Sequence, residues 1–299
     1  MAESLEPWTE KPPRLDVAVV GTGRAGSVLG AALMRAGHKV VACTAVSDIS
    51  RLRAESLMPG VPIKPVDQAV SQCDLVLLTV PDDVLPELVL GLAATTSIDP
   101  GTFVVHASGR YGVDVLEPLT RIGTLPLALH PVMTFTGTSV DLSRLSGCPF
   151  GVTSHEVLRP VAEALVVEIG GEPVWVPEGN RALYHAALAF GSNNIITLVN
   201  ETVSLLSSAD IHDPSRLVAP LFGAALDNAL RNGDNALTGP ISRGDVDTVR
   251  THIDVLSEKS PQTVEAYRVM ARLSTQRALD AGTLSATNAE RLLEVLGDR

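Results

Sequence analysis

Short apolar runs alternate with helical patterns through the first half of the chain. The runs are rich in Val and Leu and occupy residues 15–20, 38–44, 74–80, 102–108 and 124–130, with a further one at 148–154. Segments between them, such as residues 82–93, have the spacing of helices. Near-continuous apolar strands that alternate with helices are typical of a parallel sheet covered on both faces. We therefore predict an α/β domain with a doubly wound, mostly parallel sheet.

The pattern changes near residue 154. Beyond this point only residues 172–176 have the pattern of a strand. The remaining segments have helical spacing, at about residues 155–169, 179–208, 214–231, 245–257, 260–281 and 286–297. We expect a flexible N-terminal tail at residues 1–13, the α/β domain at residues 14–154 and an all-helical domain at residues 155–299.

A glycine pattern, G-x-G-x-x-G, joins the first predicted strand to the first predicted helix. Gly21 allows a tight turn, Gly23 lets the backbone approach a diphosphate, and Gly26 lets the helix pack closely on the strand. The helix N-terminus offers free N–H groups to an anion. The alternative is a glycine-rich turn in a domain without a cofactor. We predict a dinucleotide site whose contacts include Gly21, Thr22, Gly23, Arg24, Ala25 and Gly26, together with Thr44 at the end of the second strand and Val80 and Pro81 after a later strand.

The end of the second strand indicates which dinucleotide binds. NAD enzymes usually place an acid there to hold the ribose hydroxyls, whereas this strand ends at Thr44 without one. Ser47 and Arg51, with Arg53 beyond them, suit a 2′-phosphate, because hydroxyl and guanidinium groups bind phosphate well. Asp48 would favour NAD if it pointed inward. We therefore favour NADP(H) over NAD(H) as the cofactor.

Polar residues stand where two later strands end. The run at residues 102–108 contains His106 and ends in Ser108, and the run at residues 124–130 ends in His130. Ligands bind beyond the carboxyl ends of strands in an open α/β sheet. We predict that Ser108 contacts the nicotinamide or a substrate oxygen, and that His130 binds an acidic substrate.

Several motifs together resemble a known group of enzymes. They are "GTGRAG", "VPDD", "HASG", "LHPVMTF", "ALYHAALAFGSNN" and "ALTGPISRGD". The chain resembles poorly characterised Rossmann-like oxidoreductases related to ketopantoate reductase, pyrroline-5-carboxylate reductase and the 6-phosphogluconate dehydrogenase superfamily, over residues 14–299. The resemblance implies a Rossmann domain that binds NADP, followed by a helical domain like that of 6-phosphogluconate dehydrogenase. It also implies that the chain forms a homodimer through this helical domain.

The resemblance also indicates where the chemistry lies. In the wider superfamily a Lys, and an Asn four residues later, often lie on the long helix that opens the second domain. Arg181 and His185 occupy those positions here. Arg stays protonated and binds anions, whereas an imidazole exchanges protons near neutrality. We predict that His185 is the proton donor, that Arg181 and Asn193 share its polar helix face, and that Arg243 anchors a substrate carboxylate. The alternatives are a structural hydrogen-bond cluster for the helix face, and a salt bridge to Asp245 or another surface acid for Arg243.

Composition narrows the class of partner. The net charge of −11 argues against nucleic acid, and no stretch predicts a signal peptide or a membrane span. The three cysteines are far apart, which favours reduced thiols in the cytoplasm. His and acidic residues do not cluster as metal ligands do.

These observations converge on a small-molecule enzyme. We predict an NADP(H)-dependent oxidoreductase that transfers a hydride to or from a small carboxylate-bearing keto, hydroxy or imino substrate. Two alternatives remain open. "LHPVM" resembles the H-P-M of prephenate dehydrogenases, and the fold also suits a non-enzymatic, NADP-binding regulatory protein.

Overall fold

One mostly parallel sheet forms the first part of the molecule. The computed structural model describes residues 14–95 and 97–297, so the predicted tail at residues 1–13 lies outside the described residues. The strands in these ranges are β1 (Asp16–Val20), β2 (Lys39–Thr44), β3 (Leu75–Leu78), β4 (Phe103–His106), β5 (Leu125–Pro131), β6 (Pro149–Ser154) and β7 (Glu172–Trp175). Their order in the sheet is β2-β1-β3-β4-β5-β6-β7. Neighbours are parallel except for β5 and β6.

Helices cover both faces of this sheet. They are α1 (Arg24–Ala36), α2 (Asp48–Leu57), α3 (Val66–Ala69), α4 (Leu85–Thr95), α5 (Glu117–Thr120), α6 (Val140–Arg144) and α7 (Arg159–Glu168). Along β1, Val17 and Val19 join one buried cluster with α1 and α7, whereas Ala18 and Val20 join another with α4. Successive side chains of a strand point to opposite faces, so the predicted doubly wound architecture is confirmed.

The first compact unit extends further along the chain than the predicted boundary near residue 154. β7 pairs with β6 in parallel, and Ala162, Leu165 and Val166 of α7 belong to the core beneath the sheet. The chain divides after Gly191. The short apolar run at residues 172–176 is therefore the last strand of the sheet, and a single strand among helical patterns gave too little signal to place it there.

The second unit begins at Ser192, and its described residues form helices joined by turns and short loops, with no strand among them. Its helices are the C-terminal part of α8 (Arg181–Ser208), then α9 (Pro214–Asn232), α10 (Pro240–Arg243), α11 (Val246–Lys259), α12 (Pro261–Asp280) and α13 (Ala286–Val295). It has its own core, which includes Val249, Ile253 and Leu292. The predicted helical region after the sheet is thus confirmed.

The lengths and compositions of the helices bear on whether any of them could span a membrane. None of those in the described ranges combines the length and the apolar character that crossing a bilayer requires.

Candidate functional site

The glycine loop lies where the strand order reverses. β1 pairs with β2 on one side and with β3 on the other. In open α/β sheets, ligands bind beyond the carboxyl ends of the strands at such a point. The segment after β3 reaches the same edge, with Val80 half-buried and Pro81 exposed.

Two of the three glycines are required by the packing of the protein itself. Gly21 has a φ of +95°, and a Cβ there would lie 3.0 Å from the carbonyl oxygen of Thr79. A Cβ on Gly26 would overlap both the Gly21 carbonyl oxygen and Thr79 Oγ1. Thr79 Oγ1 donates to that carbonyl at 2.6 Å. The loop is therefore tied to the end of β3.

Gly23 has a different surrounding. A Cβ built there meets no described atom within 4 Å, and its φ of −67° is open to any residue. It caps α1 without a side-chain hydrogen bond, and the first turn, which begins with Arg24 and Ala25, contains no acid. The first amides of a helix have no partner within it. The space before Gly23 thus suits an anion.

Two predicted contact residues use their hydroxyl groups inside the protein. Thr44 Oγ1 accepts from the Gly21 amide at 2.9 Å. Thr22 Oγ1 lies 3.0 Å from the Thr44 carbonyl and 3.1 Å from the Ser50 carbonyl. Both threonines are buried. Their hydroxyls hold the loop against β2, and the cofactor contacts that we predict for the two residues stay predictions.

The two predicted phosphate contacts at the start of α2 differ in how accessible their polar groups are. Ser47 caps the helix, since its Oγ accepts from the Ser50 amide at 3.2 Å. Arg51 is exposed in the first turn. The hydroxyl of Ser47 is therefore partly occupied, whereas Arg51 is accessible to a ligand.

Arg24 and Arg53 converge beside the glycine loop. A Cβ on Gly137 would lie 2.8 Å from Arg53 Nε and 3.1 Å from Arg24 Cγ. Neither arginine, nor Arg51, lies within 4.0 Å of a carboxylate in the described part of the chain. In a chain with a net charge of −11, such cations favour an anionic ligand.

His106 and Ser108 shape the loop after β4. His106 is fully buried, its Nε2 lies 2.8 Å from the Gly112 carbonyl oxygen, and its Nδ1 accepts from the Ser108 amide at 3.2 Å. Burial lowers the pKa of His106 to about 4. Ser108 Oγ accepts from the amides of Arg110 and Tyr111 at 3.2 and 3.3 Å. This hydroxyl oxygen thus holds the turn, and the contact that we predict with nicotinamide or substrate stays a prediction.

His130 and His185 converge beyond β5. Their ring centres are 6.2 Å apart, and a Cβ on Gly109 would lie 2.9 Å from His130 Nε2 and 2.8 Å from His185 Cδ2. His130 Nδ1 is hydrogen-bonded to the Tyr184 hydroxyl at 2.8 Å. Burial and, to a smaller extent, the Arg181 charge lower the pKa of His130 to about 4. The structure therefore brings together two residues that the sequence places 55 positions apart.

Arg181 is buried next to Tyr184. It is 2% exposed, and it donates to Thr153 Oγ1 at 2.8 Å and to the Ala128 and Gly151 carbonyls at 3.1 and 3.0 Å. Its guanidinium carbon is 5.7 Å from the centre of the Tyr184 ring. Burial lowers the pKa of Arg181. This arginine is fixed in the interior rather than displayed on an open helix face.

Asn193 and Arg243 belong to the second unit. Asn193 is exposed on α8. Arg243 Nη2 lies 2.9 Å from Asp245 Oδ2, so its guanidinium has a carboxylate partner within the chain. The roles that we predict for both residues stay predictions.

The structure adds a residue that we do not assign from the sequence. Tyr184 is spaced by three residues from Arg181 on α8, which places both on one helix face. That spacing could be read from the sequence. The hydrogen bond between Tyr184 and His130 could not, because His130 lies in a strand 54 residues earlier.

A sheet with an open glycine loop, followed by helices, defines a two-part Rossmann-like protein. The sequence matches the Rossmann-like domain family over residues 2–131 and a domain of unknown function, DUF2520, over residues 148–274. The chain is therefore a Rossmann-like domain joined to a DUF2520 domain. No protein with a curated description matches the sequence.

Solved structures share this fold. A Bacteroides fragilis protein, provisionally described as an NADP oxidoreductase, is 19% identical with a TM-score of 0.75, over 88% of this chain and 98% of its own. An imine reductase from a Pseudomonas species is 18% identical with a TM-score of 0.62, over 95% and 100%. Pyrroline carboxylate reductase from Plasmodium falciparum, with NADP bound, is 10% identical with a TM-score of 0.56, over 93% and 98%. At these identities the likeness shows the fold.

Proposed function

We propose that this chain is an NADP(H)-dependent oxidoreductase. Its substrate class is a small carboxylate-bearing compound with a keto, hydroxy or imino group. The nicotinamide, when bound, supplies or accepts the hydride. The protein holds the cofactor and the substrate, and it supplies or takes up the proton.

The surroundings of Gly23, where a built Cβ meets no described atom within 4 Å, carry the proposal. Gly21 and Gly26 are explained by contacts inside the protein, whereas nothing described within 4 Å requires a glycine at residue 23. A group from outside the chain that lies close to the backbone provides that reason. The first-turn amides of α1 then bind a diphosphate.

The preference for NADP(H) rests on charge. Arg24 follows Gly23 directly and converges with Arg53 near Gly137, and Arg51 is exposed in the first turn of α2. Guanidinium groups bind phosphate through paired hydrogen bonds. The solved neighbours include proteins in complex with NADP and others with NAD, so they support a nicotinamide cofactor without choosing between the two.

The strand tips supply the other half of the site. Two imidazoles, His130 and His185, converge next to Gly109 at the carboxyl ends of β4 and β5. Imidazole is the common proton carrier near neutral pH. A carbonyl or imine placed there receives its proton from one of them.

Titration of the protein with NADPH and NADH, followed by fluorescence, tests cofactor binding. Gly23→Ala should weaken NADPH binding about tenfold or more, because the methyl group occupies the diphosphate position. Gly91→Ala is the matched control, since its Cβ also meets no described atom within 4 Å but lies on α4. If neither nucleotide binds at micromolar levels, or if both variants bind NADPH like wild type, the proposed function is wrong.

Loss of absorbance at 340 nm then tests turnover against short 2-keto acids and cyclic imino acids. His185→Ala and His130→Gln should lower turnover while NADPH binding is retained. A protein that binds NADPH but reduces none of these compounds would favour a regulatory protein over an enzyme.

We also propose that the second unit mediates a homodimer. Ile195 and Ile196 on α8, and Leu221, Leu226 and Leu230 on α9, are 48–80% exposed. Exposed apolar side chains of this size mark interaction surfaces where they form a patch. Light scattering after gel filtration should give twice the mass of the chain for wild type. Leu221→Glu should shift the mass towards that of the monomer.

A further inference from the structure

Arg181 carries a buried charge that the described residues do not neutralise. Its hydrogen bonds go to two carbonyls and one hydroxyl, and no carboxylate in the described ranges lies within 4.0 Å of it. Its Nη1 has no hydrogen-bond partner among the described atoms. A buried charge without a counter-charge is costly. The cost is understandable if a negative charge forms beside it during function.

Tyr184 is positioned to carry that negative charge. The Arg181 guanidinium carbon lies 5.7 Å from the centre of its ring. Its hydroxyl packs against Gly151, where a Cβ would overlap it. Burial raises the pKa of Tyr184, whereas the Arg181 charge lowers it. The phenol is therefore neutral at rest, with a cation already in place for its ionised form.

The hydrogen bond between Tyr184 and His130 fixes the position of the imidazole proton. If His130 carried its hydrogen on Nδ1, the hydroxyl would accept it, and the hydroxyl's own hydrogen would have no acceptor among the described contacts. The arrangement that satisfies both groups has Tyr184 donating to Nδ1, with the hydrogen of His130 on Nε2. Because the pKa of His130 is lowered to about 4, the ring is neutral at pH 7.

The hydrogen on Nε2 lies on the side of Gly109 and His185. A Cβ built on Gly109 would lie 2.9 Å from His130 Nε2 and 2.8 Å from His185 Cδ2, so both rings pack against this glycine. In the proposed function the substrate approaches from this side. The charged or titratable groups that act on His130 are Arg181, His185, Asp82 and His106. His185 has no hydrogen bond among the described residues that orients its ring, whereas His130 is held by a second proton-bearing group. An oriented imidazole is the better placed donor.

We propose that His130, Tyr184 and Arg181 form a proton relay that protonates the carbonyl oxygen or imine nitrogen of the substrate. This inference rests on the proposed function, and it gives the proton to His130 rather than to His185. His130 is the catalytic residue, and Tyr184 and Arg181 are positioning residues that act through it.

The relay balances in charge and protons. A bound dihydronicotinamide supplies the hydride and its electron pair. As the electron pair of the double bond moves to the substrate heteroatom, that atom bonds the Nε2 proton and the N–H bond breaks. Nδ1 of His130 takes the hydroxyl proton of Tyr184, which becomes a tyrosinate opposite Arg181. One proton from solvent then binds Nε2, and the Nδ1 proton returns to the Tyr184 oxygen, which restores the neutral tyrosine and the starting tautomer of His130.

The tautomer of His130 can be measured without any substrate. In protein labelled with ¹⁵N-histidine, long-range ¹H–¹⁵N spectra at pH 7 should show His130, assigned through His130→Gln, protonated on Nε2. Tyr184→Phe should produce a mixture of tautomers. Tyr267→Phe is the matched control, because Tyr267 makes the same bond to His252 Nδ1 at 3.0 Å. A hydrogen on Nδ1 in wild type, or an unchanged tautomer in Tyr184→Phe, overturns the relay.

The absorbance of tyrosinate at 295 nm tests the role of Arg181. The chain has three tyrosines, so a Tyr111→Phe, Tyr267→Phe background leaves Tyr184 as the titrating phenol. In that background Arg181→Met should move the titration to higher pH, whereas Arg181→Lys should largely retain it. If Arg181→Met leaves the titration in place, Arg181 is not the counter-charge.

Turnover with NADPH and the best 2-keto or imino acid from the screen completes the test. Tyr184→Phe should lower kcat about 10²-fold, with KM and NADPH affinity near those of wild type, and Tyr267→Phe should match wild type. If wild type turns over and Tyr184→Phe does so equally well, the relay is wrong and the proposed function stands. If wild type binds no nucleotide, the proposed function fails, and the tautomer and titration still decide whether the three groups are coupled.

Discussion

Two His–Tyr pairs with nearly the same geometry lie within residues 14–95 and 97–297. In the first unit, His130 Nδ1 lies 2.8 Å from the Tyr184 hydroxyl, with ring centres 5.6 Å apart and planes at 88°. In the second unit, His252 Nδ1 lies 3.0 Å from the Tyr267 hydroxyl, with centres 5.8 Å apart and planes at 83°. The difference is in their surroundings. His130 stands at a strand tip over a buried arginine, whereas His252 is exposed on α11.

This comparison separates geometry from environment. A hydrogen bond to an exposed imidazole competes with water and contributes little. The same bond to a half-buried imidazole beside a buried charge costs more to break, and it fixes which ring nitrogen carries the hydrogen. A His–Tyr pair is therefore a candidate functional site only where burial limits exchange with water and a neighbouring charge acts on the pair.

The largest expected effect is the loss of stability in acid, which comes from His106 in β4 and His130 in β5. The pKa values of His106 and His130 are lowered to about 4 from an ordinary 6.5. Between these values the unfolded chain binds protons that the folded chain does not, so the free energy of unfolding falls as the pH falls from 6.5 to 4. For the fully buried His106 the loss is about 3 kcal/mol. Urea unfolding by circular dichroism at pH 7 and 4.5 measures it.

His130→Gln provides the control for this titration. It should remove part of the loss between pH 7 and 4.5, because one of the two histidines is gone. A stability that does not change over this pH range would mean that burial has no energetic consequence at the site.

Removing one hydroxyl from each pair gives the next largest contrast. Tyr184→Phe leaves His130 Nδ1 without its donor in a half-buried site, and it should lower the free energy of unfolding by about 1–3 kcal/mol. Tyr267→Phe affects an exposed imidazole and should change it by less than about 0.5 kcal/mol. Urea unfolding of both variants at pH 7 measures the difference. Equal losses would show that the two environments are energetically alike.

The sequence was sufficient for the fold because the fold depends on repeated patterns. Apolar runs such as residues 15–20 and 74–80 predict strands to within two residues of the observed β1 and β3. The unit boundary was harder to place. A single short strand such as β7 carries no repeat, and only its pairing with β6 shows that it belongs to the sheet.

The candidate site was only partly predictable. Gly21, Gly23 and Gly26 follow from local spacing, and His130 and His185 follow from strand ends and helix position. The inward hydroxyls of Thr22 and Thr44, and the burial of Arg181, depend on contacts with distant strands. Local sequence shows which groups are present, whereas tertiary packing decides which of them face the cleft.

Replacing Arg243, an exposed arginine of the second unit, should have the smallest effect on the free energy of unfolding. Arg243 is 62% exposed in its side chain and pairs with Asp245, whereas Arg181 is buried and has no carboxylate partner in the described ranges. Exposed ion pairs contribute about 0–1 kcal/mol, so Arg243→Ala should change the free energy of unfolding by less than about 0.5 kcal/mol. Urea unfolding at pH 7, beside Asp245→Ala as the partner deletion, measures this. A loss comparable to that of Tyr184→Phe would show that the Arg243 pair is more than a surface contact, and it would weaken the contrast between the buried and the exposed region.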